Sequence, residues 1–408
     1  MTEIGVPSLW EQTQGEGVIV ALLDSGVDPK HPDLSENILF ESGYDFGDED
    51  NDPIDENGHG SAMAGLIVAK CHNQIGGCGV APLAKIIPYK INKKAGNQFY
   101  ASNLAVAILA AADSPAKILS LSLVLEEESP IVQDALLYAK SQDKIIVAAA
   151  GNNRNSTVAY PANIPWVIGV GAFDKKGKRF PKSNYGNGLS LNAPGYDLLT
   201  TGRGDGYVNW YDGTSPAAAL VSGVLALMTA QNPNATAPEL GVTLLAACQD
   251  VDIPGFDSQS GFGHLKIPFS QVELTTEPSL KFISQPAEVL YPEKTLQLDL
   301  SLENVTGKMA DLYLRINLPI DNKGKRFHLY QIWNSSDSIE AIPYNERIAS
   351  PYFLTRDIIL PLYGTSNALL GTGKVDSSLH EGIYEFLALL TFTNNKTIQT
   401  RKMIWITK

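Results

Sequence analysis

From residue 1 to about 270, short apolar runs alternate with longer stretches whose apolar residues recur at helical spacing. "VIVALLDSG" (18–26) is a continuous apolar run closed by a turn, the pattern of a strand buried on both faces. "AKIIPYKI" (84–91), "AKILSLSLV" (116–124), "KIIVAAAGN" (144–152) and "WVIGVGAFD" (166–174) read as strands of the same kind. Between them, "NLAVAILAAA" (103–112) and "PIVQDALLYAKSQ" (130–142) carry helical spacing. This alternation predicts an α/β fold, a parallel sheet with helices on both faces. Sites in such sheets form at the carboxyl ends of strands.

Near residue 272 the period changes. "LQLDLSLENV", "DLYLRINLP", "GIYEFLALLTFT" and "RKMIWITK" are alternating or β-rich runs with turn residues between them. They predict a C-terminal antiparallel β-sandwich domain of roughly seven or eight strands over 273–408, after a first domain over 1–272. "TTEPSLKF" (275–282) reads as the linker. Within the first domain, "DGTSPAAALVSGVLALM" (212–228) passes from turn residues into a helix of small apolar residues. Ser215 fits there as the helix cap, with Pro216 at the first helical position.

The 408 residues are 44% hydrophobic and 18% charged, an ordinary globular balance that two domains accommodate. The net charge of -13 argues against nucleic acid and anionic membrane surfaces as partners. No apolar run reaches the ~18 residues of a membrane span. The first residues show neither the basic nor the apolar part of a secretion signal, so a cytoplasmic protein is expected if Met1 is native, and a secreted one if a signal and pro-segment precede it. Cys71, Cys78 and Cys248 cannot build a disulfide framework and leave at least one thiol unpaired, which fits a reducing compartment.

Three polar residues stand in unusual contexts. Asp24 ends a buried strand, where an acid is costly without a partner. His59 lies between two glycines in "NGHGSAMAGLI", and Ser215 opens the small-residue helix. Singly, these are a strand-end acid, a turn histidine and a capping serine. Together, in the blocks "DSGVDPKHPDL", "NGHGSAMAG" and "DGTSPAAALVSG", with "VAAAGNN", "YPANIPWVIGVGAFD", "SNYG" and "NAPG" in order, the chain resembles the subtilisin-like serine proteases (subtilases) over nearly all of 8–272.

The resemblance implies a serine endopeptidase acting on polypeptides. Ser215 would be the nucleophile, His59 the general base and acid, and Asp24 the group that orients the imidazole. The backbone N–H of Ser215 and the side-chain amide of Asn152 would form the oxyanion hole. Substrate would add as a strand along "SLSLVLEEES", with Ser122, Leu123 and Val124 on that edge and Ala159 near the base of the specificity pocket. Val124 and Ala159 stand where the family usually has glycine, which predicts a narrowed cleft. Ala219 stands where the family usually has proline, so a transamidase or peptide cyclase is an alternative. A catalytically silent scaffold binding a partner through the C-terminal domain is a third reading; that domain also offers a surface for a regulatory or targeting partner.

The stretch "YDFGDEDNDPIDENGHG" packs seven acidic residues just before His59. Such crowding is relieved by a hard cation with six to eight oxygen ligands. Asp45, Asp48, Asp50 and Asp52 resemble the calcium loop of the thermitase-like branch of the family. A second family calcium site would use Asp33 and Asn73, with carbonyls from "CHNQIGGCGVAP".

Overall fold

The computed structural model describes residues 4–94, 98–252 and 256–267, and beyond them the backbone of strands lying between Ser279 and Ile406. After a short helix α1 (Val6–Trp10), the elements alternate as the pattern predicts. They are β1 (Ile19–Asp24), β2 (Tyr44–Asp45), α2 (His59–Val68), β3 (Lys85–Lys90), α3 (Ala101–Asp113), β4 (Ile118–Leu121), α4 (Pro130–Ser141), β5 (Ile145–Ala149) and β6 (Ile168–Phe173). β7 (Leu191–Pro194), the hairpin β8 (Leu198–Thr201) and β9 (Tyr207–Tyr211), α5 (Thr214–Gln231) and α6 (Ala237–Ala247) follow.

The sheet runs β2-β3-β1-β4-β5-β6-β7, and every pairing in it is parallel. Both faces are covered, as continuous apolar strands require. Ala21 and Leu23 of β1 join a core with Leu104, Ile108, Leu136 and Ala139 of α3 and α4. The two-residue period then turns Val20 and Leu22 to the opposite face, where α2 and α5 pack. α5 lies across β4 to β7. Its small residues allow close approach: a Cβ on Gly223 would stand 2.6 Å from that of Val80.

α5 bears on the membrane reading. It has the length and apolarity of a bilayer crossing, yet 78% of that window is buried inside the protein, as in a core helix.

This strand order places the site. Connections leave β1 toward β3 on one side, and the chain then crosses to β4 on the other. The crevice between the carboxyl ends of β1 and β4 is therefore a topological switch point. Asp24 ends β1 and Ser122 directly follows β4. Asn152 lies three residues beyond β5.

The chain divides into two compact units near residue 270. In the second unit, strands Ser279–Phe282, Thr295–Glu303 and Ser366–Lys374 pair antiparallel in one sheet. Met309–Ile320 pairs antiparallel with Arg326–Trp333, Thr355–Ile359 and Gly382–Phe392 in another. Ala287–Leu290 pairs parallel with Thr397–Ile406, so this unit is not wholly antiparallel. Of the expected linker, Ser279–Phe282 is strand, and 275–278 lies outside the described residues.

Candidate active site

Asp24 is 5% exposed and receives two hydrogen bonds on one oxygen: its Oδ1 accepts from Ser25 N and bonds His59 Nδ1, each at 2.7 Å. Its other oxygen, Oδ2, is buried with no hydrogen-bond partner among the described residues. An orphaned buried acceptor costs roughly 1–3 kcal/mol.

His59 opens α2, and the turn before it is built by a residue the sequence reading passed over. Asp55 is 1% exposed. Its Oδ1 accepts from Ser25 Oγ (2.9 Å), Asn57 N (2.9 Å) and Gly58 N (2.7 Å), and its Oδ2 accepts from Ser61 N (2.8 Å). Ser25 Oγ in turn accepts from Gly60 N at 2.9 Å. Gly60 is required by contact, since a Cβ there would meet Gly26 O at 2.0 Å. Among the seven acids of this loop, no local pattern marked Asp55 for the role.

Burial, the largest influence on His59, opposes its cationic form. The charge and hydrogen bond of Asp24, with a further contribution from Asp55, more than offset it, so the pKa is raised. Tyr211, on β9, sets its ring edge-on to the imidazole with centroids 6.2 Å apart. Burial and the charges of Asp24 and Asp55 push its own pKa up to about 12, so it stays a neutral phenol. No sequence pattern pointed to Tyr211, which arrives from a separate hairpin.

Ser215 is not the helix cap. Gly213, with φ 132°, takes that position and Thr214 starts α5. Ser215 Oγ instead donates to Ser122 O at 2.9 Å, while Ser122 Oγ donates to Ser215 O at 3.0 Å. The hydroxyl is thus turned toward the end of β4, and no hydrogen bond joins it to His59 among the described residues. Asn152 is tied to the same helix start. Its Oδ1 accepts from Thr214 N at 3.0 Å, leaving Nδ2 as the free donor of the amide. Thr214 Oγ1 accepts from Gly151 N at 3.1 Å.

A cleft of about 260 Å³ is lined by Asp24, Asn57, His59, Asn92, Phe99 and Leu123, among others that include Ser122. Ser122 and Leu123, expected on the substrate edge, thus line it. Val124 and Ala159 are not among its lining residues. Leu125 N donates to Tyr160 O at 2.9 Å, which holds the edge segment beside Ala159.

The acidic loop does not gather around a common centre. Asp45 is 1% exposed and its Oδ2 pairs with the buried ammonium of Lys90 at 2.7 Å. Asp45 Oδ1 accepts from Gly47 N (2.7 Å) and Asp48 N (3.0 Å). Asp48 faces Lys90 at 3.8 Å, and Asp50 Oδ1 accepts from Asp52 N at 2.8 Å. Among the described residues, no three His, Cys, Asp or Glu side chains converge as a metal site requires. Of the expected set Asp45, Asp48, Asp50 and Asp52, Asp45 and Asp48 face the Lys90 ammonium, which comes from β3 and is distant in sequence.

Asp33 and Asn73 do meet. Asn73 Nδ2 donates to Asp33 Oδ1 at 2.5 Å, and Tyr207 OH donates to Asp33 Oδ2 at 2.7 Å. Asn73 lies in a loop closed by a Cys71–Cys78 disulfide, which the cysteine count did not anticipate; Cys248 is buried elsewhere.

Residues 15–263 match the sequence profile of the Subtilase family. The chain is 39% identical over 226 residues to the thermophilic serine proteinase of Bacillus sp. (strain AK1), covering 55% of each protein. It therefore spans about half the length of that relative. It is 34% identical over 234 residues to thermitase of Thermoactinomyces vulgaris, covering 57% of this chain and 82% of thermitase. Among solved structures, a protease of Pseudoalteromonas arctica PAMC 21717 superposes with a TM-score of 0.58 at 29% identity, over 64% of this chain and 91% of that one.

Proposed function

The chain belongs to the subtilase family, and from that premise we propose that it is a serine endopeptidase that hydrolyses peptide bonds through an acyl-enzyme on Ser215. The observation that carries this reading is the Asp24–His59 bond of 2.7 Å at the switch-point cleft, with Ser215 tied to the cleft-lining Ser122. A hydroxyl needs a base to become a nucleophile, and a neutral imidazole anchored at Nδ1 presents Nε2 for that task. In this reading Ser215 Oγ leaves the Ser122 carbonyl by rotation between staggered χ1 wells before His59 takes its proton. Asp24 fixes the tautomer and stabilises the imidazolium formed. The N–H of Ser215 and Nδ2 of Asn152 then receive the developing oxyanion.

An organophosphonate probe tests the assignment. One adduct on Ser215 of the folded protein, blocked by prior heat unfolding, is the expected result; absence of an adduct would favour the silent scaffold. No observation favours amine over water as the acyl acceptor. Ala219, which raised that alternative, is fully buried on α5. We further read the two sheets beyond residue 270 as a β-sandwich accessory domain. Bulk at Val124 and Ala159 supports a restricted side-chain choice before the scissile bond, which a peptide library would reveal.

The pH profile carries a sign that can be checked. His59 must be neutral to act as base, so activity falls as pH drops through its raised pKa. The acid limb of kcat/KM is expected above the ordinary histidine value of ~6.5. A limb below pH 6 would contradict the balance of burial against Asp24 and Asp55.

Calcium belongs to the same reading at one place. Asp33, Asn73 and carbonyls of the 71–78 loop would hold a hard cation there, with the Asn73 amide presenting its oxygen in place of the Nδ2 that now donates to Asp33. Bound there, calcium supplies fixed charge that holds the loop. Chelation should then lower Tm by about 5–10 °C relative to free calcium at 100-fold the Kd. An unchanged Tm would remove calcium from the account.

A further inference from the structure

The disulfide at the end of α2 is placed to influence His59. Its Cα atoms are 4.8 Å apart, and it closes a loop in which His72 (φ 61°) and Gln74 (φ 67°) both hold left-handed backbone. Non-glycine residues rarely adopt that conformation and persist in it only where the surroundings hold them. The loop leans on the β8–β9 hairpin. A Cβ on Gly76 would stand 2.0 Å from the Tyr207 ring, and one on Gly77 would pack 3.5 Å from Leu199. Asn73 and Tyr207 share Asp33 as acceptor.

From the hairpin, contacts continue to the imidazole by two routes. The hydroxyls of Thr200 and Thr201 on β8 donate to Ala62 O and Ser61 O of α2 at 2.5 and 2.7 Å. Tyr211, at the far end of β9, packs its ring against His59.

We propose that the Cys71–Cys78 disulfide is a redox-controlled brace for His59, transmitted through Tyr207 and the β8–β9 hairpin. The inference rests on His59 being the general base. A dithiol reductant performs the switch. One thiolate attacks a Cys71 or Cys78 sulfur, the S–S bond breaks, and a mixed disulfide forms. The second thiolate then displaces the protein sulfur. The chain gains two electrons and two protons, and the reagent leaves as a cyclic disulfide. Both cysteines are half-buried at the surface, within reach of a small dithiol.

The test compares the full chain oxidised and reduced with dithiothreitol, in buffer of constant free calcium, well below Tm. Reduction is confirmed by two added alkyl groups per folded chain after iodoacetamide. The expected result is a kcat lower by roughly 3- to 10-fold with KM nearly unchanged. Deuterium uptake at 59–68 and 198–211 should rise on reduction. That second readout is independent of catalysis, so a failed protease assignment and a failed brace are distinguishable. A Cys71→Ser/Cys78→Ser double variant should match the reduced protein and ignore the dithiol. Where it does not fold, the alkylated wild type takes its place. Tyr207→Phe should lower kcat of the oxidised protein in the same direction. Unchanged kcat and uptake on reduction, or a double variant that still loses activity with dithiol, would overturn the proposal.

Discussion

Replacing Ser215 with alanine is expected to lower kcat on a chromogenic peptide by roughly 10⁶-fold, a magnitude carried over from subtilisin, itself a member of the family. The fold should survive, because the hydroxyl makes one hydrogen bond in the resting protein, to Ser122 O at 2.9 Å. Losing one such bond costs about 1 kcal/mol. Circular dichroism and a denaturation midpoint near that of the wild type would confirm this. The comparison that carries most information is the double variant with His59→Ala. A base without its nucleophile has nothing to deprotonate, so the second substitution should add almost no further loss. A Ser215→Ala protein within 100-fold of wild type would show that the nucleophile is elsewhere.

Asn152→Ala should cost ~10²–10³ in kcat with little change in KM, again a figure established on subtilisin. The reason lies in when the charge appears. The carbonyl oxygen becomes an oxyanion only as the transition state is approached, so a lost donor leaves substrate binding almost untouched. Asn152 also has a structural task through Oδ1, which accepts from Thr214 N. Asn152→Asp separates the two, because it keeps the acceptor and removes the donor. It should lose at least as much activity as the alanine variant while retaining more stability. An alanine variant within fivefold of wild type would end the assignment of Asn152 to the oxyanion hole.

The core strands and helices were legible because their signals are local. β1, β3, β4, β5 and β6 follow continuous apolar runs, and α3 and α4 follow helical spacing. β8 and β9 were missed, since a short half-exposed hairpin such as "LLTT" and "YVNWY" has no clear period. Asp24, His59 and Ser215 were found as sequence blocks, each readable within a dozen residues. Asp55 lay inside a crowd of acids, where nothing local distinguished it from its neighbours.

The amino-acid sequence by itself determined the α/β class, the order of the core elements and the family. Periodicity and compact motifs are properties of adjacent residues, and they need no knowledge of distant contacts. Tertiary structure alone decided which acid is buried against which partner. Asp45 faces Lys90 from β3, Asp33 faces Tyr207 from β9, and Tyr211 sets its ring against His59. Each pair joins segments tens to well over a hundred residues apart, and the sheet order, fixed by burial of both its faces, brings them together. The same long-range packing turned Ser215 toward Ser122.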